Sequence, residues 1–510
     1  MIITILLSLF LFISLHYVTL HYGKYGRIMN SLQGPSTLPI IGNIHHIIST
    51  SDLWVFMNKM SDQYYPIFKL WSFTSALVHT RHPDDFQVLL GNPKFTEKGY
   101  MYKLLKPWFS TGLLTSSGRK WQNRRKILTP AFHFDILNKF VDVFIKEAEC
   151  LVKSLKSEEG VVVNDLLNSI NKRTLNIICE TVMGISLKDE DKLQHKYLKA
   201  ANDIEKVFIY KPWLFHDFFF KFDPQRWRQS RLLETIHGFT RKIIQERKEY
   251  HEQSNGRYLI DFNENSNNNN DNVESNDVEI RKRRLALLDI LIEAHRNNQI
   301  DDEGIREEVN TFMFAGHDTT SVALCYIIML LAEHKEIQDR VRAEVKAVLK
   351  ENEGKLNMST LQDLSYLERC IKESLRLYPS VPRIARKTKK DLELSSCRLP
   401  SNTEVLVDIY NMHRDPRYWP NPDVFDPDRF LSENFKSRHS YVYIPFGVGS
   451  RNCIGKRFAM LELKTIMSLL LNNYFFESVD YLKDISFVMG IVMKPAHRIR
   501  VKFIPIKDTC

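Results

Sequence analysis

Pro445-Phe446-Gly447-Val448-Gly449-Ser450-Arg451-Asn452-Cys453-Ile454-Gly455-Lys456-Arg457-Phe458-Ala459-Met460-Leu461-Glu462 is the stretch whose reading decides the fold. Its glycines permit a tight loop, and the apolar set Ile454, Phe458, Leu461 and Met467 then recurs at near-helical spacing. That spacing predicts a helix from Ile454 to Asn473, with Cys453 just ahead of its N-terminus. Backbone N–H groups and the helix dipole at such a place favour a thiolate, and Arg451, Lys456 and Arg457 are expected to add positive field. A thiolate held there can ligate a soft or redox metal. Three readings of Cys453 stay open at this point: a nucleophile, a metal ligand, or an inert residue in a turn.

Upstream, Ile305, Val309, Phe312, Gly316, Ala323 and Ile327 mark one stripe of a long helix, expected from Ile305 to His334. The run Ala315-Gly316-His317-Asp318-Thr319-Thr320 interrupts it. The plain account is a solvated face or a hydroxyl bonding back to its own helix. A glycine, an acid and adjacent hydroxyls inside apolar surroundings predict instead a helix opened locally to water. Glu373 and Arg376 stand three apart and Trp121 and Arg125 four apart, so each pair shares a helix face. Further helical patterns run over Phe140 to Lys156, Ser230 to Tyr250 and Arg283 to His295, with β-rich runs at Ile67 to His79, Glu404 to Ile409 and His497 to Phe503. The fold class expected is mainly α with small β-sheets.

Composition narrows the rest. A chain of 510 residues, 44% hydrophobic and 26% charged, is neither a disulfide-stapled miniature nor a disordered tract. Its net charge of +10 favours an acidic partner or an anionic membrane surface; no recognisable nucleic-acid motif accompanies it, so nucleic acid is not expected. Seven cysteines, odd in number and without a C-x-x-C pair, point to a reducing compartment and away from a zinc site. Residues 1–22 hold no Asp, Glu, Lys or Arg and are long enough to span a bilayer; no cleavage site follows them. Lys24 and Arg27 then place the remaining chain in the cytosol. The organisation expected is a membrane anchor (1–22), a basic, proline-containing linker (23–43) and a catalytic body (44–510). Within that body Asn263 to Asn276 lies in an Asn-rich insertion, about residues 261–280, that has too little apolar content to order itself.

The full spacing F-x-x-G-x-R-x-C-x-G, here Phe446, Gly449, Arg451, Cys453 and Gly455, resembles the cytochromes P450, and the resemblance runs from about residue 31 to about residue 505. It implies the P450 fold, haem b, and Cys453 as the axial ligand whose electron donation promotes O–O cleavage. Phe446 is then expected against the ring, with Trp121, Arg125, Arg386 and Arg451 near the propionates. Asp318 and Thr319 would manage protons for bound dioxygen, while Ala315 and Gly316 would leave ligand space beside iron. Glu373, Arg376 and Arg429 would form a structural network.

Residues 116–134, 312–320 and 411–430 resemble the microsomal family-four P450s of animals, insect members above all. Ala315 departs from them: many carry a glutamate there that becomes esterified to the haem. Alanine cannot form that bond, so no covalent haem ester is expected and oxidation away from the terminal carbon becomes easier. The activity implied is hydroxylation of a lipophilic substrate, whether fatty acid, terpenoid hormone or xenobiotic such as an insecticide. Dioxygen and electrons from NADPH-cytochrome P450 reductase would be used, with cytochrome b5 as a second donor, at the endoplasmic reticulum membrane. Arg119, Lys120, Arg124, Lys126, Lys456, Arg457 and Lys464 would form the reductase-docking face. Substrate contacts are expected from residues 95–115, 200–220, 312–320, 381–384 and 488–492. An oxygen-independent isomerase or dehydratase and a haem-based sensor are the alternatives; Asp318 and Thr319 speak against the former.

Overall fold

Helical periodicity in the sequence becomes a scaffold of long helices around one central element. The computed structural model describes residues 1–46, 49–73, 75–156, 160–187, 192–208, 223–253 and 286–506. The Asn-rich insertion, Cys510 and residues 209–220 of one expected substrate stretch lie outside the described residues. An N-terminal helix, α1 (Ile2–Tyr22), stands outside the body, whose main helices are α2 (Gly118–Leu128), α3 (Phe134–Ser154), α4 (Leu166–Thr181), α5 (Lys192–Phe208), α6 (Gln225–Gln253), α7 (Asp302–Glu333), α8 (Ser365–Leu377) and α9 (Lys456–Asn473).

α7 is the spine. Asp301 caps it, its side chain accepting from the Gly304 N–H at 2.8 Å, and Ile305, Val309, Met313 and Val322 along it are fully buried. Both α1 and α7 are long and apolar enough to cross a membrane; α7 is largely enclosed by protein, whereas the apolar stretch of α1 is bare. The expected opening at Ala315–Thr320 is not found. α7 is continuous there, because its hydroxyls are satisfied within the helix: Thr311 donates to Glu307 O, Ser321 to Asp318 O, and Thr319 Oγ1 to Ala315 O at 2.8 Å.

The strands are β1 (Ile67–Ser72), β2 (Ser75–Thr80), β3 (Val161–Val163), β4 (Arg383–Lys387), β5 (Leu392–Glu393), β6 (Arg398–Leu399), β7 (Glu404–Asp408), β8 (Tyr474–Ser478), β9 (Phe487–Val488), β10 (Lys494–Pro495) and β11 (Val501–Pro505). They pair as β1-β2-β7-β4, β3-β11-β8, β9-β10 and β5-β6. β7 runs parallel to β2 and antiparallel to β4, with Arg386 opposite Val405, and this register carries Arg386 to the site. Between the proposed anchor and the sheet, residues 24–31 form a helix with Met29 buried, so part of the expected linker is ordered against the body.

The Glu373 network matches its expectation. Glu373 takes both Arg376 Nε (2.7 Å) and Nη2 (2.8 Å), and Arg429 Nε lies 3.3 Å away. Arg376 also donates to the carbonyls of His413 and Pro422 at 2.7 Å, and Arg429 to those of Pro420 (2.6 Å) and Asn421 (2.8 Å). It braces α8 against the segment leading to the cysteine loop.

Candidate functional site

Glycine chemistry shapes the cysteine loop. Gly447 and Gly449 have φ of 65° and 73°, and a Cβ on Gly449 would sit 2.0 Å from Leu90 O. A 3₁₀ turn at Gly449–Arg451 reverses the chain, the Cys453 N–H donates to Phe446 O at 2.8 Å, and α9 begins at Lys456. α9 is seated by Phe458, whose ring meets Phe140 and Phe144 of α3 edge-on at 6.0 and 5.0 Å. The Cys453 side chain consequently opens onto a cavity of about 400 Å³.

Burial pushes the Cys453 thiol up, opposed by the Gly455 N–H, Arg125 and Lys456. The expectation that Arg451 supplies field to the sulfur is revised. Its guanidinium turns away, donating to Leu113 O (3.2 Å) and Ser116 O (2.5 Å) and stacking over Trp121 at 4.1 Å. A bound metal cation would favour the thiolate.

The cavity wall carries Lys98, Arg125, Arg383, Arg386 and Arg451, and no Asp or Glu among its described residues; Arg383 alone of these is paired from behind, with Asp408 at 3.4 Å. Burial, then Arg386 and Arg451, hold the Lys98 ammonium well below its ordinary value. Burial and then Arg386 bring Arg451 down to about 9, and its Nε has no hydrogen-bond partner among the described residues. Arg125 is anchored on Asn452, at 3.0 Å to its carbonyl and 2.9 Å to its side chain. Cations crowded together with no carboxylate in the described wall, beside Trp121, Phe446 and a thiol, suit a flat apolar group that carries carboxylates and a thiolate-binding metal. Haem has that chemistry. Trp121, Arg125, Arg386, Phe446 and Arg451 all line this one cavity; Lys98 was not singled out, since nothing in its local sequence distinguishes it from a surface lysine.

On the opposite wall Ala315, Gly316 and Thr319 of α7 face the cavity. Gly316 has a second cause: a Cβ there would lie 2.1 Å from Ile178 Cγ1, so the glycine lets α7 meet α4. Ligand space is not its sole role. Asp318 points the other way, buried, with Lys494 Nζ 2.7 Å from its Oδ1. Lys494 and Glu205 beside it were not foreseen. Met101, Leu104, Phe312, Val381, Ile384 and Ile491 line the cavity, drawing on four of the five expected substrate stretches.

The proposed docking face needs correction. Arg124 is buried between Glu307 (3.6 Å) and Glu308 (3.7 Å), and Lys464 is buried on Glu368 (2.6 Å). Lys120 is exposed but paired with Glu307 at 2.7 Å. Arg119, Lys126, Lys456 and Arg457 remain exposed.

The family model for cytochrome P450 matches residues 32–503. Cytochrome P450 4c3 of Drosophila melanogaster is 38% identical, over 94% of this chain and 90% of its own. Cytochrome P450 4c21 of Blattella germanica is 36% identical over 98% of each, and cytochrome P450 4V2 of Homo sapiens 35% identical over 91% of this chain and 87% of its own. A crystal structure of the cytochrome P450DA heme domain superimposes with a TM-score of 0.75 at 22% identity, covering 93% of this chain and 97% of that one. Matched along nearly its whole length, with the family's cysteine loop facing a cation-lined cavity, the chain belongs to the cytochrome P450 family, resembles its family-four members, and is a monooxygenase.

Proposed function

We propose that the protein hydroxylates a lipophilic substrate at a haem held by Cys453, with reductase-supplied electrons and a proton path through Asp318 and Thr319. The observation that carries the reading is the cavity onto which Cys453 and Thr319 both face, walled by apolar side chains and by cations without a carboxylate. Haem, when bound, supplies dioxygen binding and O–O cleavage. Lys98, Trp121, Arg125, Arg386 and Arg451 would hold its propionates, and Phe446 would pack against it. Thr319 holds a transferable proton at Oγ1, and Asp318 renews it from the interior side of α7. Met101, Phe312 and Ile491 exclude water and orient an apolar ligand.

Ala315 presents a methyl group where an ester would need a carboxylate, so the haem is held without a covalent tether. Fatty acids, terpenoid hormones and xenobiotics all remain within reach of such a site. The exposed Arg119, Lys126, Lys456 and Arg457 offer a docking face to NADPH-cytochrome P450 reductase, with cytochrome b5 as a second donor. α1 anchors the protein in the endoplasmic reticulum membrane, its catalytic body in the cytosol.

Mass spectrometry of products formed with reductase and NADPH from fatty acids, terpenoids and insecticides tests the reading. Oxygenated products are expected, with haem that is fully extracted by acidic solvent. Product formation under nitrogen without NADPH would replace it with an isomerase, and gas binding without NADPH consumption with a sensor.

A further inference from the structure

On the side of α7 turned away from the cavity, a buried ionic cluster joins three elements. Lys494 Nζ of β10 lies 2.7 Å from Asp318 Oδ1 of α7 and 3.0 Å from Glu205 Oε2 of α5, and it donates to Asn202 Oδ1 of α5 at 3.2 Å. The side chains of Asp318, Glu205 and Lys494 are 2%, 7% and 12% exposed, so water screens none of them well. Asp318 Oδ2 has no hydrogen-bond partner among the described residues.

Two carboxylates around one ammonium leave a negative charge over. An unpaired buried charge is costly, and a proton is the least costly remedy. Among the described residues, the other groups that face this cluster do not supply a second cation. Burial keeps His317 of α7 below its ordinary value, and its Nδ1 bonds Met313 O at 2.5 Å. Burial likewise pushes the Tyr197 phenol of α5 well up, so it stays neutral. Burial and then the Asp318 carboxyl push Glu205 up to about 8, while the two carboxyls hold the Lys494 ammonium up against the burial that would lower it.

We propose that Glu205 and Lys494 are positioning residues for the oxygen-side proton: Glu205 carries the reserve that Asp318 draws on, and Lys494 holds the two carboxyls in register for its transfer. In that step the O–H bond of Glu205 breaks and an O–H bond forms at Asp318 Oδ2. Glu205 is left as a carboxylate against Lys494 and regains its proton from bulk water; no electron moves. The inference rests on the reading of Asp318 and Thr319 as the proton path. Because Glu205 and Asn202 both belong to α5, the reserve is in place only while α5 is packed against α7.

The test uses the full-length holoenzyme as wild type, Glu205→Gln, Lys494→Met, Lys494→Arg and Asp318→Asn. Without turnover, infrared difference spectra on raising the pH through about 8 should show, beside the signal of Glu308, a protonated-carboxyl band that is lost in the wild type and missing from the Glu205→Gln difference spectrum. During turnover, Glu205→Gln should release about tenfold more peroxide per NADPH and lose the pH dependence near 8. Lys494→Met should uncouple as well, and Lys494→Arg should restore coupling. An unchanged unfolding temperature for Glu205→Gln sets misfolding aside. If Glu205→Gln keeps the band, or matches the wild type in peroxide release and pH profile while Asp318→Asn uncouples, the reserve is overturned and the Asp318 reading stands. If Asp318→Asn has no effect either, the reading beneath it fails as well.

Discussion

Glu373, Arg376 and Arg429 and the cavity cations Lys98, Arg125, Arg386 and Arg451 are both clusters of charge withdrawn from water, and they are built to opposite plans. In the first, the Glu373 carboxylate and the carbonyls of residues 413, 420, 421, 422 and 424 answer the guanidinium groups. In the second, no carboxylate among the described residues lines the wall. A buried ionic cluster complete within the chain braces it; one left open by charge marks where something else binds.

The largest effect should come from the contact that neither cluster contains. Cys453→Ser is expected to abolish monooxygenase activity and the thiolate-type carbon monoxide spectrum while leaving unfolding of the rest of the body nearly unchanged. Next, Glu373→Gln leaves two buried guanidinium groups without their anion. It should cost about 3–5 kcal/mol of stability, read as a loss of folded protein in denaturant titration. Arg386→Met removes one open cation instead. Haem retention should weaken by about 1.5–3 kcal/mol, or roughly 10- to 100-fold, with the stability of the haem-free chain unharmed. The reverse pattern, stability lost at Arg386 and haem lost at Glu373, would break the contrast.

The remaining effects are in pH, and they should run in different windows. His413, which accepts from the Ile444 N–H at 2.9 Å, is brought down to about 3 by burial and then Arg376. Its unfolded form takes a proton below about 6.5 and its folded form does not until about 3, so stability should fall as pH drops through that window. His413→Gln should flatten the slope in acid unfolding curves. Lys98 is lowered from 10.5, so between its folded value and 10.5 the unfolded chain binds more protons. The haem-free protein should therefore gain stability as pH rises toward 10.5, a slope that haem and Lys98→Met both reduce.

What was legible in the sequence was contiguous. The cysteine loop, the run from Ala315 to Thr320 and the Glu373–Arg376 pair each lie within one helix turn or one loop, where spacing dictates neighbours. Arg124, Glu205 and Lys494 were misread or passed over for one shared reason. Their partners are far along the chain: Arg124 meets Glu307 and Glu308, and Lys494 meets Asp318 and Glu205. A lysine or arginine facing such a carboxylate has the same local sequence as one facing water. The continuous α7 has a similar origin, because a threonine that bonds back to its helix and one that opens it are spelled alike.

Arg451 holds the carbonyls of Leu113 and Ser116 with the same guanidinium that stacks on Trp121, two residues from Cys453. Leu113 and Leu114 belong to the cavity wall. The loop that presents the sulfur and the wall that feels the ligand are thus clamped into a single mechanical piece. One arginine side chain thereby fixes the spacing between the loop that carries Cys453 and the stretch of wall at Leu113 and Leu114.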